Sequence, residues 1–311
     1  MTRGDRYGVS SPTGPSDPEE VEASTAVAMA EISPRTALGA VRLTVSDLER
    51  SLGYYSDVVG LELLEHGGGR ASLGAGGREL VMLVEERGAR PTPGFTGLYH
   101  LALLVAERRD LAAWLAHGAR DRVRLVGLSD HFVSEALYLS DPDQHGIEIY
   151  WDRPREHWEG QVAARMTTLP LDVNGLLGEL DDPRTEPFNG LPATTVMGHI
   201  HLKVADVPQA VTFYRDALGL ALMANLGEQA AFLSAGGYHH HVGANSWESA
   251  GAPAPPPGSA ALRSATIVLP DAAERTRVLD RLAARGHQAE ESHCEPVVRD
   301  PSGNALRLAV A

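Results

Sequence analysis

The hydrophobic positions of this 311-residue chain fall into a pattern that recurs four times. Residues 37–47, ALGAVRLTVSD, read as a strand, and LERSLGYYSDVVG brings Leu48, Leu52, Tyr55 and Val59 to one helical face. Asp47 is placed to cap that helix and Gly60 to stop it. Three short strands follow, LELLEH, RASLGAG and RELVMLVEE, divided by glycines, and complete one βαβββ module. After ARPTPGFTG a second module opens with the strand LYHLALLVA and the helix RRDLAAWLAHGA. It closes on residues 135–152, EALYLSDPDQHGIEIYWD. There Asp141-Pro142-Asp143 supplies turn chemistry, and Gly146 permits an unusual backbone angle before Ile147–Tyr150. Glu148 stands between Ile147 and Ile149 and so faces the opposite side of the strand from both. A carboxylate in that position is either an exposed edge residue or a placed ligand.

Residues 153–195 break the pattern. They hold several prolines and one short helix over VNGLLGEL, and read as a linker packed across the surface. The pattern then restarts with the strand VMGHIHLKVAD and the helix VPQAVTFYRDALGL. AAFLSAGGYHHHVGANSW supplies two strands. A fourth module follows SAGAPAPPPGSA: LRSATIVLP, AAERTRVLDRLAARGH and EPVVRDPSGNALRLAVA. VRLTVSDLERSLGYYSDVVGL matches IHLKVADVPQAVTFYRDALGL, and YLSDPDQHGIEIY matches VVRDPSGNALRLA. Repetition at this spacing implies two homologous halves of two modules each. The expected fold is α+β: four βαβββ modules forming two curled mixed sheets, or cups. The first domain covers residues 37–152, the linker 153–195 and the second domain 196–311. The first residues, MTRGDRYGVSSPTGPSDPEE, are polar and rich in Gly, Ser and Pro, and residues 1–36 read as a disordered tail.

Composition narrows the partners. Forty-one acidic residues against 27 basic give a formal charge of −14, which argues against nucleic acid and anionic membrane surfaces. The single cysteine, Cys294, excludes an intrachain disulfide and a cysteine-cluster metal site, whereas histidine, at 13 residues, is plentiful. No apolar run reaches the length of a membrane span, and the first residues lack the apolar stretch of a signal peptide. A cytoplasmic protein is expected.

The Tyr-x-Asp-x-x-Gly-Leu runs at residues 55–61 and 214–220, and Asp-Pro-Ser-Gly-Asn at 300–304, resemble the vicinal oxygen chelate superfamily over residues 37–311. That superfamily includes glyoxalase I, fosfomycin-resistance thiol transferases, bleomycin-binding proteins and type I extradiol dioxygenases. SEALYLSDPD, GIEIYWDRP and SAGGYHHH are similar to the bacterial catechol 2,3-dioxygenases. The resemblance implies metal ligands on the first and last strands of modules. Seven residues before Asp206 lies His199; the same count from Asp47 gives Ala40, which cannot bind metal. The second module offers His100 and Glu148, and the counterpart of Glu148 in the fourth is Arg307. The implied set is His100, Glu148 and His199, suited to Fe(II) or alternatively Mn(II), with open positions for a small aromatic substrate and O2. Neither half holds a full set. Modules two and three are therefore expected to pair around the metal and modules one and four to form a metal-free cup. Pairing across a homodimer stays open.

The resemblance also implies Tyr138, ten residues before Glu148, as a hydrogen-bond donor to bound substrate, with His131 nearby. From the run His239, His240, His241 it favours His240 as the proton-transfer residue. Alternation sets His239 and His241 on one strand face and His240 on the other. His201, whose counterpart is Arg42, is read as lining the cavity. The implied reaction is extradiol ring cleavage of a catechol to a semialdehyde. The alternatives are a glyoxalase-type isomerase, a thiol transferase or a non-catalytic resistance protein.

Overall fold

The computed structural model describes residues 31–290 and 295–311. The tail through residue 30 and Cys294 lie outside the described residues. In the first module Ala37–Val45 is a strand, and a helix opens at Leu48–Gly53 with the Asp47 side chain accepting from Arg50 N. It continues as a wider π-helical turn, Tyr54–Val59, and ends at Gly60 with φ +91°. The third module repeats this: Asp206 caps Val207–Val211, a π turn spans Thr212–Ala217, and Gly219 has φ +97°. In modules one and three the single helix expected is thus two kinds of turn in sequence, whereas module two keeps one α-helix, Arg108–Arg120. The fourth module has Leu262–Leu269, the helix Ala272–Ala284, Val297–Arg299 and Ala305–Val310. Its remaining strand is reduced, among the described residues, to a bridge between Glu290 and Val297.

A seven-stranded sheet joins module four to module one through antiparallel pairing of Leu262–Leu269 with Ala37–Val45. A nine-stranded sheet joins module two to module three through antiparallel pairing of Gly97–Val105 with Val196–Lys203. Each half of the chain therefore places one module in each sheet. The architecture is α+β, built of repeated βαβββ-like units, and the strongly curled mixed sheet is the nine-stranded one. Of the two symmetric cups expected, this is the one clearly formed. Its curl follows the right-handed twist of its strands and bulges on either side of His199–His201.

Two segments are more embedded than their composition suggests. In the linker, Trp158, Val162 and Met166 are buried against Val133 and Phe232, and Leu169–Pro170 adds an edge strand beside Gly127–Asp130. Residues 31–36 pack on the body: Ile32 is buried, and the amides of Glu31 and Ile32 both donate to Gly219 O. No helix among the described residues is long and apolar enough to cross a membrane.

Candidate metal centre

Strand register explains how three distant residues meet. In the parallel pair Ala102 lies opposite Glu148, and in the antiparallel pair Ala102 lies opposite His199. Directly opposed residues share a sheet face, and His100, two before Ala102, shares it as well. The methyl group of Ala102 leaves room for the longer side chains on both neighbouring strands and on its own. Gly146 serves this approach by its lack of a side chain: a Cβ there would lie 2.1 Å from Tyr99 O. The unusual backbone angle expected at Gly146 is found instead at Gln144, with φ +70°.

His199 Nε2 lies 2.9 Å from Glu148 Oε2, and His100 Nε2 lies 3.0 Å from the same oxygen. One nitrogen or oxygen from each of the three falls within 4.8 Å of the others, and His199, Glu148 and His100 are 1%, 2% and 6% exposed. Burial opposes the charge of Glu148, but His199 and His100 outweigh it and hold the carboxyl well below the usual range. Burial lowers His199 against the pull of Glu148.

The donor set fits a metal ion. His100 Nε2 is close to Glu148 yet makes no hydrogen bond, and His199 Nδ1 and His201 Nε2 are buried and unpaired. Two imidazole nitrogens directed at one carboxylate oxygen are poorly satisfied by one another and well satisfied by a cation. The cavity among His100, Glu148, His199, His201 and His240 holds about 20 Å³, room for one water or one ion. Two imidazoles and one carboxylate form a site compatible with Fe(II) or Mn(II).

Around this centre the structure brings together the other sequence candidates. His131 Nε2 is 2.7 Å from the Tyr138 hydroxyl. His131 Nδ1 is 2.9 Å from Thr167 O, an acceptor only, so neutral His131 carries its proton on Nδ1 and accepts from Tyr138. Thr167 belongs to the linker, which therefore walls the site. His201 lines the cavity, its ring 5.0 Å from that of His100.

The run at 239–241 lies in a turn between strands, so alternation does not govern it. His240 stands with its ring 4.1 Å from that of His199. Its Nδ1 is 2.8 Å from His239 Nδ1, and His239 Nε2 is 2.8 Å from Asp152 Oδ1. Tyr238 donates to Asp152 Oδ2 at 2.8 Å, and the Tyr150 hydroxyl lies 2.7 Å from that of Tyr238. Burial, then Asp152, pushes Tyr150 well above its ordinary value against the pull of the Tyr238 hydrogen bond, and burial, then Tyr150 and Asp152, does the same to Tyr238, so both remain neutral donors. The partners fix the tautomers. Ionised Asp152 only accepts, so His239 carries its proton on Nε2. His239 Nδ1 then accepts from His240 Nδ1–H, and His240 Nε2 is left with its lone pair. Burial and the surrounding imidazoles hold His240 well below 6.5, in its neutral form. Asp152, His239, Tyr238 and Tyr150 were missed as a unit. The signal was present, since Asp152 follows Glu148 by four residues on one strand.

His100, His131 and Tyr138 also border a larger cavity of about 520 Å³. It is walled by Leu98, Tyr99, Leu139 and Leu262 and carries Lys203 and Glu248.

The family model described as Glyoxalase/Bleomycin resistance protein/Dioxygenase superfamily matches residues 37–149 and 196–308. A "Catechol-2,3-dioxygenase" of Bacillus subtilis (strain 168) is 41% identical over 283 residues, covering 89% of this chain and 98% of that protein. Among solved structures, a candidate dioxygenase from Bacillus subtilis subsp. subtilis str. 168 is similar with a TM-score of 0.60 at 14% identity, covering 88% of this chain and 84% of its own. Glyoxalase I from Zea mays is similar with a TM-score of 0.53 at 15% identity, covering 88% and 92%. At those identities the structural likenesses speak for the fold alone.

Proposed function

The chain belongs to the Glyoxalase/Bleomycin resistance protein/Dioxygenase superfamily, and on that premise we propose that it is an Fe(II)-dependent extradiol dioxygenase. It would open the ring of a catechol-type small aromatic with both atoms of O2, giving a ring-opened semialdehyde. The observation that carries this reading is the convergence of His100, Glu148 and His199 on one buried point, in a chain 41% identical to a catechol-2,3-dioxygenase. These three residues would hold the ion, with Mn(II) as the substitute. When bound, the ion supplies a template for the substrate oxygens and O2 and takes up their charge.

The chain's own residues handle the protons. His240 Nε2 takes a proton from a catechol hydroxyl. The imidazolium that forms is steadied through His239 by Asp152, in a line whose direction the acceptor-only carboxylate sets. The same proton returns to oxygen as the ring opens. Tyr138 donates to His131 while His131 is neutral. A proton passed from the second catechol hydroxyl to the Tyr138 oxygen, as Tyr138 gives its own to His131 Nε2, reverses that bond and leaves the Tyr138 O–H directed at the substrate oxygen. The 520 Å³ cavity accepts the ring and its substituents, with Leu98, Leu139 and Leu262 offering apolar contact. An isomerase reading has less support, because the cluster holds one carboxylate.

Other parts of the reading belong to the same proposal. The seven-stranded sheet is the metal-free counterpart of the curled one. The chain divides at 37–152, 153–195 and 196–311. The protein works in the cytoplasm, on compositional grounds, without nucleic-acid or membrane partners and with a homodimer as an open form. The test of function is oxygen uptake by anaerobically Fe(II)-loaded protein given catechol, with the yellow ring-opened product as a second readout. Tight Fe(II) binding without oxygen uptake from any catechol would sink the proposal.

A further inference from the structure

The seven-stranded sheet has a cavity of its own, also about 520 Å³. It occupies the place that the metal centre occupies in the other sheet, and the registers show the correspondence. Arg42 lies opposite Ser264 as His201 lies opposite His100. Arg307 lies opposite Thr266 as Glu148 lies opposite Ala102. Ser264 thus stands for His100, Ala40 for His199 and Arg307 for Glu148. At the central position the repeat has exchanged a carboxylate for a guanidinium, which reverses the sign of ion that the site would attract.

The reversal extends beyond one residue. Five arginines line this cavity: Arg42, Arg70, Arg263, Arg299 and Arg307. Five together in a chain of net charge −14 is a local surplus. The nearby carboxylates are largely engaged. Glu290 pairs with Arg299 at 3.0 Å, Glu295 with Arg307 at 2.9 Å, and Glu79 accepts from Ser72 at 2.6 Å, which leaves Glu86 on the rim. Arg263 donates to Thr44 Oγ1 at 3.2 Å. Arg42 has a different status. Its Nε is buried with no hydrogen-bond partner. Loss of hydration and the charge of Arg307 both lower its pKa, against the weaker pull of Glu79 and Glu295. A guanidinium held with a buried donor unmet, facing like charge, is destabilising until an acceptor arrives. Planar guanidiniums match the geometry of carboxylate and phosphate oxygens. Beside the charged and hydroxyl groups, Met82, Val84, Leu262 and Val297 give part of the lining an apolar face, so the cavity suits more than a bare ion.

We propose that the seven-stranded sheet carries an anion-binding site for a small organic oxyanion, a carboxylate or a phosphate ester, held by Arg42 and Arg307 with Arg70 at the rim. The site is separate from the metal centre and does not depend on the reaction proposed there.

The test is calorimetric titration of the full-length, Fe(II)-loaded protein under anaerobic conditions with succinate and, separately, inorganic phosphate. Sodium chloride at matched ionic strength is the control. Saturable binding of at least one of the two is expected, and which one separates the carboxylate from the phosphate source. Arg42→Met should weaken that binding about tenfold or more, the worth of one charge-assisted hydrogen bond. It should still take up one Fe(II), and its melting temperature without anion should equal or exceed that of the unsubstituted protein. Arg70→Met, at an exposed position, should weaken binding without affecting folding, and stands in if Arg42→Met does not fold. Absence of saturable binding, a response that chloride reproduces, or unchanged affinity in the folded variants would overturn the proposal.

Discussion

Glu148 is a carboxylate 2% exposed and ionised only because two imidazoles face it. Glu148→Gln keeps the volume and removes the charge, so anaerobic titration should show loss of tight, one-equivalent Fe(II) binding. His240→Ala should keep the metal and lose turnover by about 10²–10⁴, the usual worth of a positioned acid–base group. Asp152→Asn isolates the relay. The amide donates as well as accepts, so His239 and His240 lose their fixed tautomers while all three cluster residues stay in place. The expected outcome is unchanged Fe(II) stoichiometry, a lower kcat and a displaced pH–rate profile; an unaltered profile would remove the relay from the mechanism. His241 gives a pH effect on stability. Its Nδ1 accepts from Ala235 N at 3.1 Å, and lost hydration, then neighbouring imidazoles, bring its pKa from 6.5 to about 3. Between those values the unfolded chain binds the proton and the folded chain does not. His241's contribution is therefore complete above pH 6.5 and declines as pH falls toward 3, by about 1.4 kcal/mol per pH unit at most. Urea midpoints measured from pH 7.5 to 5 should fall, and His241→Asn, which keeps an acceptor, should flatten the decline.

At the scale of elements, the two halves fasten their modules with the same bond. The Tyr55 hydroxyl donates to Asp141 Oδ2 at 3.2 Å and the Tyr214 hydroxyl to Asp300 Oδ2 at 2.9 Å. In each pair the aspartate's other oxygen accepts two amides of its own turn, from Asp143 and His145 in one and Ser302 and Asn304 in the other. The π turn and the Asp-Pro turn are thus partners, one carrying the tyrosine inward and the other receiving it. Tyr55→Phe should cost about 1–3 kcal/mol, the penalty of a buried acceptor left unmet, and Tyr214→Phe less, because Asp300 Oδ2 still accepts from Asn304 Nδ2 at 2.9 Å; both are read as shifts in urea midpoint. Much of this level was legible in the sequence, because strand alternation, helix caps and the Tyr and Asp positions are local and appear twice. The relay was less legible. Alternation separates His239 from His240, but the run is a turn, and a turn can set both rings on one line. The linker's share of the site was hidden for a related reason. Trp158, Met166 and Thr167 stand singly among polar residues, with no period to betray burial. Ile32 was hidden for another reason: the polar start of residues 1–36 makes them read as one tail, although the apolar stretch TAVAMAE leads into it.

At the scale of the whole molecule, the chain's halves are homologous but the sheets ignore that division. His100 and Glu148 come from the first half and His199 and His240 from the second, and they meet because Gly97–Val105 pairs with Val196–Lys203 in one chain. The same crossing joins Ala37–Val45 to Leu262–Leu269 in the other sheet. A half on its own would expose a central strand in each of its two modules, with unpaired amides and carbonyls beside apolar residues, a poor state for an isolated domain. This arrangement yields a prediction that a conventional two-domain protein would fail. Residues 31–152 and 153–311 expressed separately should be poorly soluble and bind no Fe(II) tightly, because neither holds the triad. Expressed together, they should assemble one to one and take up one Fe(II) per pair, with the nick lying just after Asp152 at the start of the linker. Separate halves that fold and bind metal alone would mean that the active cup closes within a half or between identical copies, and the shared centre would have to be abandoned.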